Sequence, residues 1–247
     1  RWASRSGAWR QRRAWLSSRR EADAVRSGAR GMSARAEILA RVRAGVGMED
    51  SATRRAEAES WLEARQIGPQ PAAMGDLVAR FCRKAESLAS TVVRVADWGA
   101  VPQAVAAYLQ AQGLPMQAVV TPECADHAWR EAGLSVRAGF AVDADLVGIS
   151  SCFCALAETG TLMLLSGDNS PATVSLLPET HIALVPAARI VSTMEAGFAL
   201  LRAERGGLPR ALNFVSGPSR TGDIEQTIVL GAHGPCRVHL IVIGESA

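Results

Sequence analysis

The chain has 247 residues, 48% of them hydrophobic, enough to bury one sizeable core. No apolar run approaches the roughly eighteen residues that a membrane-spanning helix needs, so no span is expected. The net charge of +3 divides unevenly: residues 1–31 carry +7 from nine arginines against Glu21 and Asp23, and residues 32–247 carry −4, so the main body is mildly acidic and offers no nucleic-acid footprint.

Residues 1–31 are rich in Arg, Ser, Ala and Gly and hold three of the six tryptophans. Three readings stand: an organellar transit peptide, an interfacial segment on an anionic surface, or upstream sequence translated from an early start codon. Met32-Ser33 followed by a clean helical pattern favours the third, and the arginine skew (Lys84 is the single lysine) fits a GC-rich genome. The segment is left out of the fold. Five scattered cysteines, an odd number, point to a reducing compartment and a cytoplasmic location.

From Ser33, the spacing of Ile38, Leu39, Val42 and Val46 predicts a helix. Helical patterning continues over 53–66 and 74–89, broken by Gly68-Pro69 and Pro71, so residues 32–89 form an α-helical lead-in. The character changes at Ser90, where an α/β domain is expected to run from 90 to 247. Strand-like runs occupy 91–95, 117–121, 146–150, 161–165, 181–185, 212–216 and 238–243. Helical segments are expected at 102–112, 125–132 and 193–205. This alternation predicts a mainly parallel sheet flanked by helices, with several strands apolar throughout, as strands buried on both faces are.

Three stretches carry polar and glycine residues that packing alone does not require. They are Ala157-Glu158-Thr159-Gly160-Thr161, Leu177-Pro178-Glu179-Thr180-His181, and Ser216-Gly217-Pro218-Ser219-Arg220-Thr221-Gly222-Asp223-Ile224-Glu225 with its sequel Gly231-Ala232-His233-Gly234-Pro235. In this order, before a final strand, they resemble the LUD-domain family and specifically its lactate utilisation protein C branch, over essentially the whole chain after residue 32. The resemblance implies a NagB/RpiA/CoA-transferase-like α/β fold. It also implies a part in growth on L-lactate, which is oxidised to pyruvate, beside two iron–sulfur partner proteins.

The residues themselves point to a ligand site without naming the ligand. Gly217 to Thr221 follow a strand end, the edge where open α/β sheets bind ligands, and a helix starting near Thr221 would aim free N–H groups at an anion. Arg220 would hold a small carboxylate or phosphate, with the Ser219 and Thr221 hydroxyls as further donors; in the competing reading Ser219 caps the helix and Arg220 pairs with Asp223. Thr159, Gly160 and Thr161 join this candidate set. Glu158 is a candidate nucleophile, since a glutamate plays that part in CoA transferases of the superfamily, or else it holds its turn through backbone hydrogen bonds. His233 on its glycine loop is a candidate acid/base, while His181 reads as a structural histidine opening a buried strand.

No metal site and no cofactor is expected. Cys152 and Cys154 form a C-x-C pair that no further cysteines complete into an iron–sulfur set, and neither G-x-G-x-x-G nor Walker A occurs. The leading expectation is a non-redox component of an L-lactate oxidation system that binds iron–sulfur subunits or holds a small anion near them. The alternative is a free-standing acyl or CoA transferase or sugar-phosphate isomerase centred on Glu158, and a purely structural subunit is the third.

Overall fold

Helix ends are set by side chains that satisfy the first free amides. In the computed structural model, which describes residues 33–46, 51–64, 66, 68–69, 75–222 and 229–244, Ser33 Oγ accepts from the Ala36 amide at 3.3 Å and opens α1 (Ala34–Val46). Arg41 pairs with Glu37 one turn away at 2.7 Å. With α2 (Ser51–Ala64), α1 belongs to a first unit, residues 1–68, in which Ile38, Val42, Trp61 and Leu62 are exposed. Residues 1–31 lie outside the described residues.

The second unit runs from Pro69 to Ala247. Asp76 caps α3 (Leu77–Ser87) by accepting from the Ala79 amide at 3.0 Å, and the helix buries Val78, Phe81 and Ala85. The remaining helices are α4 (Val101–Ala111), with Pro102 in its first turn, the single turn α5 (Thr173–Leu176), and α6 (Met194–Arg205), capped by Thr193 and closed by Gly206 in the left-handed conformation.

In chain order the strands are β1 (Thr91–Val95), β2 (Gln117–Val120), β3 (Ser135–Ala138), β4 (Val147–Ser151), β5 (Cys154–Leu156), β6 (Thr161–Leu165), β7 (Thr180–Pro186), β8 (Ile190–Val191), β9 (Leu212–Val215), β10 (Arg220–Thr221), β11 (Val229–Leu230) and β12 (Arg237–Ile243). Six of them form a sheet in the order β1-β12-β7-β4-β2-β3, parallel at every pairing, with β7 and β4 at its centre and β12 beside β7. The expected mainly parallel sheet flanked by helices is therefore present. Strands β7 and β12 are buried almost end to end, which explains their unbroken apolar runs.

A second sheet, order β8-β5-β6-β9, is antiparallel except for β5 with β8. Two of the seven expected strands, β6 and β9, belong to it rather than to the parallel sheet. The layers follow from which way side chains point. Ile241, Ile182 and Ile149 pack under α4 and Trp129, while Leu240, Ala183 and Val242 face α3 and the second sheet through Leu162 and Leu164. On the far side of that second sheet, Leu156 and Met163 pack against Leu201 of α6. Residues 125–132, expected as a helix, are turns: the segment wraps around buried Trp129, whose indole donates to the Cys124 carbonyl at 2.9 Å.

Candidate functional site at the two edges of the parallel sheet

The motif residues do assemble, but at the amino edge of the parallel sheet. Thr161 Oγ1 lies 2.7 Å from both Thr159 Oγ1 and Ser216 Oγ, joining the Glu158 turn to the end of β9. Gly160 and Gly217 both have positive φ, and both press on the C-terminal end of α3. A Cβ on Gly160 would stand 2.5 Å from the Ala85 nitrogen, and one on Gly217 would stand 2.3 Å from the Leu88 carbonyl oxygen. Arg220 donates to that same Leu88 oxygen at 3.4 Å. The two glycine-rich segments lock together as well. Ser219 N–H donates to the Pro235 carbonyl at 2.8 Å, Gly231 N–H donates to the Ser219 carbonyl at 3.0 Å, and β10 pairs with β11.

This geometry corrects two expectations. Among the described residues no helix starts near Thr221; Arg220 and Thr221 form β10, which pairs with Val229–Leu230. Nor does the end of β9 coincide with the carboxyl edge of the parallel sheet, because β9 runs in the other sheet, antiparallel to β6. Its end meets Leu88, just before β1 begins. Among the described residues Gly217, Ser219, Arg220 and Thr221 have no converging helix amides beside them, and Gly217 and Arg220 meet the carbonyl-bearing terminus of α3, which disfavours an anion. Asp223 to Glu225, including the competing Arg220–Asp223 pair, lie outside the described residues.

Glu158 is partly buried, and its N–H donates to the Ser192 carbonyl at 3.0 Å. Its turn is closed by Gly160 N–H on the Leu156 carbonyl at 2.9 Å. Thr159, Ser216, Arg220 and His233 are exposed, and Thr161 is buried. His181 is fully buried with Nε2 at 2.9 Å from Ser150 Oγ; burial pushes its pKa down to about 4, so it is neutral at pH 7. His239 behaves alike, pushed to about 4 by burial, bonded to Thr91 Oγ1 at 2.8 Å and stacked on Tyr108 at 3.8 Å.

The carboxyl edge is built differently. From β2 the chain moves outward to β3, whereas from β4 it moves through the second sheet to β7, toward the opposite edge. Carboxyl ends that lead the chain apart leave a crevice between them, the usual ligand position in an open α/β sheet. Here two adjoining cavities share Glu123, Leu165, Ser170 and Arg205. The outer, about 600 Å³, runs along the loop Ser166 to Ser170 and past Leu208. The inner, about 310 Å³, is walled by Ser151, Cys152, Phe153, Pro186 and Arg189.

The two arginines in these walls are not equivalent. Arg189 is committed: it pairs with Glu204 through both terminal nitrogens at 2.6 and 3.0 Å, donates from Nε to the Phe153 carbonyl at 2.7 Å, and lies 4.7 Å over the Phe153 ring. Hydrogen bonding to Glu204 holds its pKa above the usual value and draws that carboxylate's down. Arg205, in the last turn of α6, makes no hydrogen bond or ion pair among the described residues, although its charge reaches Glu123. Part of the Glu123 side chain is exposed, yet desolvation of its carboxyl in the cavity wall raises the pKa, against hydrogen bonds involving Ser170 and the Ser151 backbone. Cys152 is buried in the same wall, and burial raises its thiol far above the ordinary range. Sequence reasoning missed Glu123, Ser170, Arg189 and Arg205, because they come from four separate loops and helix ends with no shared motif. Combining the strand order with the carboxyl-edge rule finds them.

The comparisons with known proteins agree with this architecture. The LUD domain family model matches residues 78–243. A protein named Lactate utilization protein C from Geobacillus sp. (strain WCH70) is 38% identical over 120 residues, which cover 47% of this chain and 49% of that protein. One of the same name from Halalkalibacterium halodurans is 42% identical over 100 residues, 39% of this chain and 44% of that protein. The aligned stretches thus span about half of these relatives' length or less. The crystal structure of a DUF162 family protein from Deinococcus radiodurans superposes with a TM-score of 0.54 at 23% identity, over 70% of this chain and all of that one, which speaks for the fold. With its parallel sheet, its motif cluster and a family match across most of its length, this chain belongs to the LUD domain family.

Proposed function

We propose that the chain is a non-redox component of an L-lactate utilisation system, and that the amino-edge motif cluster is its docking face for iron–sulfur partner subunits. The observation that carries the role is the roughly 40% identity to proteins named for lactate utilisation, spanning 97–120 residues in the matches of highest significance. The docking assignment is supported by what the motif residues do. Gly160 and Gly217 are spent on close packing with α3, which leaves Thr159, Ser216, Arg220 and His233 displayed on one edge. A rigid, hydrogen-bonded platform with a few exposed polar side chains suits a protein partner better than a small anion.

The test is mild affinity purification of the tagged protein from lactate-grown cells, with proteomics and iron analysis. Stoichiometric recovery of iron–sulfur proteins, reduced several-fold by Arg220→Ala, is the expected result. Recovery of the protein alone, free of iron, refutes the partnership. In the same cells Glu158→Gln is expected to leave growth on L-lactate intact; lost growth with a folded variant would move the reading to the acyl-transferase-like enzyme, with Glu158 and His233 as its catalytic pair.

A further inference from the structure

We propose that the crevice at the carboxyl ends of β2 and β4 binds a small monoanionic 2-hydroxy- or 2-oxo-carboxylate, with Arg205 holding the acid group and Glu123 and Ser170 meeting the adjacent oxygen. The choice of hydroxy or oxo acid rests on the lactate-utilisation reading above; the anion clamp does not.

Four features of the crevice converge on this ligand. Its position at the point where the chain diverges leaves strand-end groups facing a common space, so Ser151 at the end of β4, Cys152 just after it and Glu123 from the turn after β2 line one cavity. The charges are graded. Arg189 is fully used by Glu204 and the Phe153 carbonyl and acts as rigid wall, whereas the Arg205 guanidinium makes no hydrogen bond or ion pair among the described residues, although its charge reaches Glu123 and Glu204. An anion entering the crevice meets one guanidinium able to take it in a two-point bond.

The acidic groups then set the ligand's charge. Glu123 and Asp168 also line the walls, so a phosphate carrying close to two negative charges meets two carboxylates for one free arginine. A monocarboxylate faces a smaller penalty, and Glu123 in its protonated form donates to the ligand's neighbouring oxygen instead of repelling it. Desolvation of that carboxyl works in the same direction. Leu165, Phe153 and Pro186 supply the apolar contact that a short carbon chain needs. Binding is consequently expected to strengthen as pH falls through the Glu123 titration. The other charged groups in these walls are Asp168, Arg189 and Arg205.

The experiment is ligand-observed NMR on the purified full chain with L-lactate, D-lactate, pyruvate and inorganic phosphate as probes, between pH 5 and 8. The expected result is binding of at least one of the three acids, at least tenfold weaker in Arg205→Ala and within twofold of wild type in Arg220→Ala, with phosphate weaker than the acid. Glu123→Gln should keep binding and flatten its pH dependence. Arg205 ends α6 on the surface, so far-UV circular dichroism of Arg205→Ala is expected to match wild type. Absence of binding by every acid, or equal binding by a folded Arg205→Ala, overturns the site. Deletion that leaves growth on L-lactate unchanged, alongside Arg205-dependent acid binding, would retire the lactate role and keep the site. Lost growth with no acid bound would keep the role and retire the site.

Discussion

Replacing Gly160 by alanine separates a glycine kept for packing from one kept for a ligand. Its φ of 68° places an L residue in the left-handed region, which costs roughly 1–2 kcal/mol. The new Cβ would stand 2.5 Å from the Ala85 nitrogen and 2.6 Å from the Lys84 carbonyl carbon, both backbone atoms in the last turns of α3, so no rotamer change relieves the contact. Overpacking of this kind adds roughly 1–3 kcal/mol. Together the two effects come to roughly 2–5 kcal/mol, which for a unit of this size lowers Tm by roughly 4–20 °C. Thermal unfolding followed by circular dichroism measures it. Gly167→Ala is the control: nothing lies within 4 Å of its Cβ, and the change should stay within about 0.5 kcal/mol of wild type. A Gly160→Ala protein that melts within about 2 °C of wild type would refute the packing argument and return Gly160 to the role of admitting a ligand.

Acid should destabilise the fold through its buried histidines. His181 binds a proton at about 4 in the folded chain against about 6.5 unfolded, so its contribution is complete above pH 6.5 and is lost as pH falls toward 4. The loss is about 3 kcal/mol for this residue alone, and urea midpoints at pH 7 and pH 4.5 would show no difference if the argument is wrong. The thiols of Cys154 and Cys124 are pushed up to about 11 by burial, and that of Cys152 further. Maleimide labelling at pH 7.5 should reach half-buried Cys236 first and these three only on unfolding; rapid native labelling of Cys152 would contradict the buried wall. Thr193→Ala removes the oxygen that accepts the Ala196 amide at 3.3 Å and should cost about 1 kcal/mol in chemical denaturation, against no change if α6 is held by packing alone.

The fold was legible wherever burial imposes a pattern. The run 161–165 coincides with β6, and 238–243 with nearly all of β12, because strands between packed layers must be apolar at successive positions, while 91–95 coincides with β1, a partly exposed edge strand marked by its β-branched residues. Met194–Arg205 was legible through its threonine cap, its apolar spacing and the glycine that closes it. Short strands such as β5 and β8 were not, since three or two residues cannot establish a period. Residues 125–132 have helical composition but are held as turns by a local bond, the Trp129 indole on the Cys124 carbonyl, and by burial of Trp129 in the core.

The candidate site divides in the same way. Gly217 and Gly222 in the third stretch permit close backbone approach, and Gly217 is used in that way while nothing lies within 4 Å of a Cβ on Gly222; the same use of Gly160, and the identity of the approaching group, the end of α3, depend on contacts across more than seventy residues of chain and came only from tertiary structure. Likewise the end of β9 looked equivalent to those of β2 and β4 as a local string. Strand order alone decides which sheet a strand joins, and therefore whether its carboxyl end opens the crevice with Glu123 and Arg205 or closes against α3. Local sequence encodes what a segment must bury or bend, while edges, and the sites they create, belong to the pairing of segments far apart.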